Sequence, residues 1–217
     1  MEKVENKLMY HFHKPKIKPE EWKVDNEIII DNNYNSPLLY NSVYRNGTGL
    51  WINEDKFESA TFISEEMVEK GTDEYMLSLL DNKEEYLKRV KQVRDFLDEM
   101  CGILRDLSIA NRELGLEDYR IKHHPEYLSR FHSLWVCEEK QLEYWKKMLN
   151  KKCELYELSL TGNLFRANAA YLPNFGFSRE VAERYSEEYW NPPKNRDVSK
   201  DEFLFQGKAR ILRKVIM

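Results

Sequence analysis

A long stretch in the middle of the chain has the periodicity of an amphipathic helix, and it restricts the fold more than any other feature. Its apolar residues recur at alternating spacings of four and three, at Tyr86, Val90, Val93, Leu97, Met100, Leu104 and Leu107. This spacing places them on one face of a helix that runs from about residue 83 to residue 113. Heptads of this kind also form coiled coils, but over so few heptads we favour a single helix packed on its own domain.

Sequence runs typical of strands lie on both sides of this helix. They cover residues 7–13 and 22–30 before it, and 133–137, 153–161, 163–171, 201–207 and 208–215 after it. We expect Gly162 to separate residues 153–161 and 163–171 into two strands. Gly207 is expected to form a hairpin or a bulged turn between the last two runs. Two shorter helices are predicted at 138–149 and 178–190, and Pro192 and Pro193 follow the second.

The order of these elements predicts an α+β fold. Helical segments are concentrated in the middle of the chain, so the strands near its two ends must pair through space. A further short helix is predicted to begin at Ser64 and to end near Gly71. We therefore expect a single domain over residues 1–217 with a helical insertion around residues 64–115.

The composition narrows the classes of partner. The chain has 34 Lys and Arg residues against 38 Asp and Glu residues, and a net charge of -4, which argues against a broad phosphate-binding surface. Three cysteines without close pairs suggest small buried apolar residues in a reducing compartment. No signal-peptide pattern or long apolar run is present, so a cytoplasmic protein without membrane contact is expected.

Metal binding is the first chemistry to consider. His11 and His13 alternate on one face of the first strand, and His123 and His124 are adjacent in sequence. A zinc or iron site needs three or four converging ligands, and neighbouring histidines usually point apart. We therefore predict no metal site.

Two other common chemistries also lack support. Cys137 and Cys153 lie inside strand patterns, away from the helix N-termini or cationic neighbours that lower a thiol pKa. The glycine-containing segment at residues 46–49 has neither the lysine nor the following helix of a triphosphate-binding loop. A cysteine nucleophile and a P-loop are both disfavoured.

A third set of residues joins the two ends and the middle of the chain. It consists of a Tyr-His pair at 10–11, a Ser-Arg pair at 129–130 before a Ser-Leu-Trp-Val strand that begins at Ser133, a Tyr-Trp pair at 189–190 after a helix, and Glu202 in a final Glu-x-Leu-x-x-Gly. As a set, these motifs resemble the ADP-ribosyltransferase-like fold, and more specifically an uncharacterised bacterial family assigned to that fold. The resemblance spans most of the chain.

The resemblance implies a split antiparallel sheet with a central helical segment, whose cleft binds NAD in a bent form. The implied activity is mono-ADP-ribosyl transfer, in which the bond to nicotinamide breaks through an oxocarbenium-like ribose. Glu202 matches the catalytic carboxylate that stabilises this cation. His11 matches the first-strand histidine that holds a ribose hydroxyl, and Tyr10 would shape the same wall.

The resemblance assigns cofactor contacts to further residues. Ser133, or Ser129 before it, would support the nicotinamide ribose and the glutamate, and Arg130 would pair with the pyrophosphate. An aromatic residue would stack on nicotinamide, and it would come from Tyr40 or Tyr44 or from the pair of Tyr189 and Trp190.

One departure from the family pattern concerns the acceptor. Such enzymes commonly have a second carboxylate or a glutamine two residues before the catalytic glutamate, where this chain has Lys200. This argues against transfer to arginine and leaves a nucleic acid, another protein side chain or a small molecule as acceptor.

The resemblance suggests a bacterial or phage toxin or a phage-defence effector, for which an antitoxin would be a partner. The alternative is a non-catalytic binding module that uses the same cleft for protein or nucleic acid. Whether His11 and Glu202 face one cleft distinguishes the two hypotheses.

Overall fold

The computed structural model describes residues 1–36, 82–149, 153–172 and 179–216. Within them, short 3-10 helices cover Glu139–Gln141, Ala169–Tyr171 and Val198–Lys200. The strands and α-helices follow in the order β1 (Glu2–His13), β2 (Glu27–Ile30), α1 (Lys83–His123), β3 (Leu134–Val136), α2 (Leu142–Leu149), β4 (Glu154–Asn168), α3 (Arg179–Trp190) and β5 (Asp201–Val215). None of the described helices combines the length and the apolar character that a membrane span requires.

The chain divides into two compact units, one of Met1–Arg45 with Ile109–Met217 and one of Asn46–Ser108. In the second unit, the structure describes the first part of α1. Three residues of its predicted apolar face, Val90, Leu97 and Leu104, are 47%, 54% and 55% exposed. Cys101 is also exposed, so the prediction that all three cysteines are buried is wrong for this one.

The first unit contains one antiparallel sheet of five strands. β5 pairs with β4 along one edge and with both β3 and β2 along the other, while β1 pairs with the far edge of β4. Strands from the two ends of the chain therefore lie side by side. The predicted α+β class and its long-range strand pairing are confirmed.

The sheet closes on itself at one point. The backbone N–H of Tyr10 donates to the carbonyl of Cys137 at 2.8 Å, and the N–H of Cys137 donates to the carbonyl of Tyr10 at 2.9 Å. Because Cys137 follows β3 directly, β1 meets the end of β3 although it belongs to the opposite edge of the sheet. This closure brings Tyr10, Trp135 and the start of β5 into one region.

Each face of the sheet carries its own apolar core. We call one of them the core face; the apolar cluster on it includes Met9, Trp22, Tyr156, Leu158 and Phe203. The helix face carries Phe165 and Leu204, which pack with Leu116 of α1 and with Tyr189 and Trp190 of α3. Since alternate residues of a strand point to opposite faces, Phe203 belongs to the core face and Leu204 to the helix face.

The prediction that glycine breaks the last strands is wrong. β4 and β5 run without interruption through Gly162 and Gly207, which are paired in register with φ angles of 157° and 142°. A Cβ atom on Gly162 would lie 2.3 Å from the carbonyl oxygen of Gln206. The two glycines therefore allow a close contact between continuous strands, and no turn is needed.

The end of the long helix also differs from the prediction. α1 begins at Lys83 as expected but continues through Glu113 and Gly115 to His123. Pro125 follows closely, and the residue before a proline is disfavoured in a helix. The additional turns place Glu113 and Leu116 in the interior of the first unit.

We predict that Gly162→Ala destabilises the protein by about 2–4 kcal/mol, because the new methyl group collides with backbone atoms at a positive φ angle. Urea denaturation measures this loss. Gly115→Ala is the matched control, because a Cβ atom there meets no neighbouring atom and should add about 0.5–1 kcal/mol of helix stability. Equal effects of the two substitutions would contradict the assignment of a close strand contact.

Candidate functional site

A buried arginine lies at the centre of a network that connects four parts of the first unit. Arg130, in the segment before β3, is 0% exposed. Its Nε donates to Oε2 of Glu113 on α1 at 2.6 Å, and its Nη2 donates to Oε1 of the same carboxylate at 3.2 Å. Its Nη1 donates to the hydroxyl of Tyr189 on α3 and to Oε1 of Glu202 on β5, and the Tyr189 hydroxyl also donates to this oxygen.

Aromatic rings enclose the same guanidinium. Its central carbon lies 4.6 Å from the ring centroid of Trp135 and 4.8 Å from that of Tyr189. A guanidinium is attracted to ring faces at such distances. All three nitrogen atoms of Arg130 are hydrogen-bonded and its plane is packed, which satisfies a charge that would otherwise be very costly to bury.

The pKa values of the network follow from burial and from the neighbouring charges. Burial alone would raise the pKa of Glu113, but the guanidinium groups of Arg130 and Arg112 outweigh it and lower that pKa. Burial opposes the charge on Arg130, yet Glu113 and its other neighbours hold the arginine pKa well above its usual value. The pKa of Tyr189 is raised mainly by burial, so its phenol keeps the proton that it donates to Glu202.

Strand alternation determines the position of Glu202. It is the second residue of β5 and points with Leu204 to the helix face. The preceding Asp201 is buried and fixed by Arg196, whose Nε and Nη2 donate to its two oxygens at 2.7 Å and 2.8 Å. The start of β5 is thus held in place on both sides of the strand.

A small aromatic pocket lies beside Glu202. It is lined by Tyr10, Phe12, Trp135, Val136, Cys137, Trp145, Leu149 and Glu202. Its volume is about 40 Å³, enough for only one or two water molecules. Glu202 is 3% exposed, and its Oε2 has no hydrogen-bond partner among the described residues, whereas Oε1 is bonded to Arg130 and Tyr189.

His11 lies on the opposite side of the sheet from Glu202. It alternates with Tyr10 and shares the core face with Met9 and His13. Its Nδ1 is 2.7 Å from the carbonyl oxygen of Trp135, and its ring stacks on Trp22 with a centroid distance of 4.6 Å. The structure therefore brings Tyr10, but not His11, into the pocket with Glu202.

His11 and His13 are held in place by ring stacking and by contacts with backbone carbonyl oxygens. The ring of His13 also stacks on Trp22, at 4.2 Å, and its Nε2 lies 2.7 Å from the carbonyl oxygen of Ile17. Burial lowers the pKa of His11 to about 3 and also lowers the pKa of His13. Both rings are therefore neutral at pH 7.

Of the remaining predicted site residues, none that the structure describes lines the pocket. Ser129 Oγ accepts a hydrogen bond from the backbone N–H of Phe131 at 3.2 Å, and buried Ser133 Oγ has no partner in the part of the chain that the structure describes. Arg130 and Tyr189 are interior side chains without a free surface for a pyrophosphate or a ring. Tyr40 and Tyr44 lie outside the described residues.

Three important residues were not predicted from the sequence. Glu113 was expected only as the end of a helix, and Trp135 and Trp145 only as apolar residues. The sequence does contain a signal for Glu113, because it lies between Ala110 and Leu116 at three-residue spacing, on a face that proves to be buried. A carboxylate on such a face predicts a buried cationic partner.

The thiols offer no activated nucleophile among the described residues. Burial raises the pKa of Cys137 to about 12 and also raises the pKa of Cys153. The described residues contain no group of three or more histidine, cysteine or acidic side chains with the arrangement of a metal site.

Comparison with known protein families gives a match over most of the chain. A family model described as a protein of unknown function, DUF2441, matches residues 9–217. No curated protein matches the chain. The match covers the last five residues of β1, all of the other described strands and the whole Arg130 network.

Removal of the central guanidinium is expected to be far more costly than removal of an exposed one. We predict that Arg130→Met lowers the free energy of unfolding by about 3–5 kcal/mol at pH 7, because buried Glu202 loses its cation and buried Glu113 keeps only Arg112. Arg213→Met removes an arginine that is paired with Glu157 and 67% exposed and should cost at most about 1 kcal/mol. The deficit of Arg130→Met should shrink as the pH falls below 4.5, because Glu113 loses its charge-dependent stabilisation in acid. A pH-independent deficit would contradict the ion-pair assignment.

The half-buried His11 and the buried His13 should make stability depend on pH. Their pKa values are lower in the folded state than the unfolded value of 6.5, so the unfolded chain binds more protons and stability decreases as the pH falls below 6.5. For His11 the loss is about 1.4 kcal/mol per pH unit down to its folded pKa. Denaturation of wild type and of His11→Gln at pH 7, 6 and 5 measures it. Parallel curves for the two proteins would contradict a His11 ring that stays neutral in the folded protein.

Proposed function

The chain belongs to the DUF2441 family, whose function is unknown, and we propose that it is an NAD-dependent mono-ADP-ribosyltransferase with its site at the pocket beside Glu202. The observation that carries the proposal is that one pocket contains both Tyr10 and Glu202, which come from the two ends of the chain. Trp135 and Trp145 supply further aromatic surface to the same pocket. In this proposal the closed antiparallel sheet is a form of the split sheet of the ADP-ribosyltransferase-like fold.

The pocket chemistry suits the nicotinamide ring of NAD. This ring is flat and positively charged, so it favours aromatic faces and a nearby carboxylate. Glu202 offers Oε2, which no described residue bonds. The buried indole N–H of Trp135 also has no partner among the described residues, and the carboxamide oxygen of nicotinamide is a suitable acceptor for it.

The proposed reaction breaks the bond between the nicotinamide nitrogen and C1′ of the ribose. The electron pair of that bond leaves with nicotinamide, and the ribose becomes an oxocarbenium-like cation. A nucleophilic atom of the acceptor then bonds to C1′ and releases its proton. Glu202 stabilises the cation more strongly than the ground state, and such differential stabilisation accelerates the reaction.

The other residues have indirect roles in this proposal. Arg130 holds Glu202 through Oε1 rather than binding the pyrophosphate, because it has no exposed surface. His11 fixes the carbonyl of Trp135 from the other side of the sheet. Tyr10 forms the wall of the pocket opposite the start of β5.

The pocket must widen to admit a ring, because about 40 Å³ holds only one or two water molecules. Helix α2 is the element suited to move. It supplies Trp145 and Leu149 to the pocket, yet none of its eight residues is buried. Its outward shift would expose few apolar contacts, although it would break the 3.1 Å hydrogen bond from Trp145 Nε1 to the carbonyl of Asp201.

The proposed acceptor is a macromolecule, either a nucleic acid or a protein. Lys200 occupies the position two residues before Glu202, where a carboxylate or an amide would orient an arginine acceptor. We therefore favour acceptors other than arginine. A toxin or phage-defence role follows from the same resemblance.

The second candidate is a module that binds its ligand without catalysis. Two observations favour it: His11 and Glu202 lie on opposite faces of the sheet, and Glu202 is already paired with Arg130. A carboxylate that is partly neutralised stabilises a developing cation less well. Both candidates use the same pocket and differ in whether the glycosidic bond breaks.

Nicotinamide release from NAD tests the proposal. We predict release by the wild-type protein, accelerated by RNA, DNA or cell lysate, and a loss of about 100-fold or more in Glu202→Gln, which keeps the shape but removes the charge. Glu117→Gln is the matched control, because it neutralises a carboxylate that is also paired with an arginine, Arg120, but does not line the pocket.

Melting temperature with and without NAD separates the alternatives. A rise with NAD but no nicotinamide release under any condition would favour the non-catalytic module. The absence of both effects would reject NAD as the ligand.

A further inference from the structure

We propose that Glu113 is a positioning residue for Glu202, and that it acts by occupying one edge of the Arg130 guanidinium. This inference rests on the proposed function, because it concerns the same pocket. Glu113 does not line the pocket, so any effect on a ligand there must pass through Arg130.

The geometry divides the guanidinium between two carboxylates. Glu113 accepts from Nε and Nη2, which form one edge of the fork, with both of its own oxygens. Held on this edge, the guanidinium presents Nη1 to Glu202, and Nη1 is the one nitrogen that contacts that carboxylate, through Oε1. One oxygen of Glu202 is thus bonded to the cation while the other has no described partner.

The arrangement would change if Glu113 lost its charge. Arginine binds a carboxylate most strongly when two nitrogens meet two oxygens. With Glu113 neutral, Glu202 would be the only full negative charge in contact with Arg130. The guanidinium would then pair with both oxygens of Glu202, and the pocket would lose its negative charge.

The position of Glu113 is itself well fixed. It lies within α1, and Arg112 donates to its Oε1 through Nη2 at 2.8 Å and Nε at 3.1 Å. Arg112 is partly exposed while Glu113 is fully buried. Glu113 therefore holds Arg130 from a rigid element that does not belong to the pocket.

A pair of probes measures the negative charge of the pocket directly. 1-Methylnicotinamide carries a positive ring, whereas nicotinamide has nearly the same shape and is neutral. The ratio of their dissociation constants, from titration calorimetry, reports the preference for the cation. A defect in packing alone weakens both probes and leaves the ratio unchanged, so the ratio separates positioning from a structural role.

We expect wild type to prefer the cation by about tenfold or more, and Glu202→Gln to lose that preference. Glu113→Gln should lower the ratio toward that of Glu202→Gln. The double variant Glu113→Gln with Arg130→Gln should restore it, because Glu202 then has no cation to pair with. Glu117→Gln should retain the wild-type ratio.

The failures of the two proposals are distinguishable. If wild type binds neither probe, or binds both equally, the proposed function fails and this inference fails with it. If wild type shows a preference that depends on Glu202 but Glu113→Gln retains it, only the role of Glu113 is overturned.

Melting curves establish that each variant is folded. If Glu113→Gln is unfolded, Glu113→Met replaces it, because a thioether side chain of similar length has neither the charge nor the oxygens that hold Nε and Nη2; an unchanged ratio in that variant also overturns the inference.

Discussion

Burial of one guanidinium group is the constraint on which the helix face of the sheet depends. Arg130 has no access to water, so each of its donors needs a protein acceptor, and these acceptors come from α1, α3 and β5. The helix face of the sheet is therefore held together by charge as well as by apolar packing. Such a network tolerates few substitutions, because the removal of one member leaves another charge buried without a partner. The same need for a partner fixes Glu202 in one position.

A second constraint comes from the backbone of the sheet. The backbones of β4 and β5 come into close contact at the paired glycines Gly162 and Gly207, where a side chain on either residue would collide with the other strand. The closure between Tyr10 and Cys137 then places β1 next to β3. The pocket beside Glu202 is a product of this closure, because its walls come from β1, β3, α2 and β5.

Sequence periodicity was sufficient for the elements and the class of the fold, since α1, α3 and the pairing of terminal strands follow from local patterns. It failed at Gly162 and Gly207, because a glycine can either end a strand or permit a close contact between strands, and only the partner strand decides between these two outcomes.

For the candidate site, the resemblance pointed to Glu202, Arg130 and Tyr189, which do lie together. It could not show that His11 points to the other face, because a histidine next to a tyrosine on a strand is compatible with either orientation until the pairing is known. Glu113 was missed because its partner, Arg130, lies 17 positions later in an irregular segment, beyond the reach of helix periodicity.

The pairing of β1 with β4 has a consequence for how the protein is made. Tyr10 and its partner Glu157 are 147 positions apart, so the first strand leaves the ribosome long before the strand that it joins. At about 5–20 residues per second, this interval lasts from several seconds to about half a minute. During that time a strand with unpaired edges is available to other chains, which is the condition that favours association with chaperones or aggregation. Glu2, Lys3, Glu5 and Lys7 of this strand are charged, and charged side chains on a strand edge discourage such contacts.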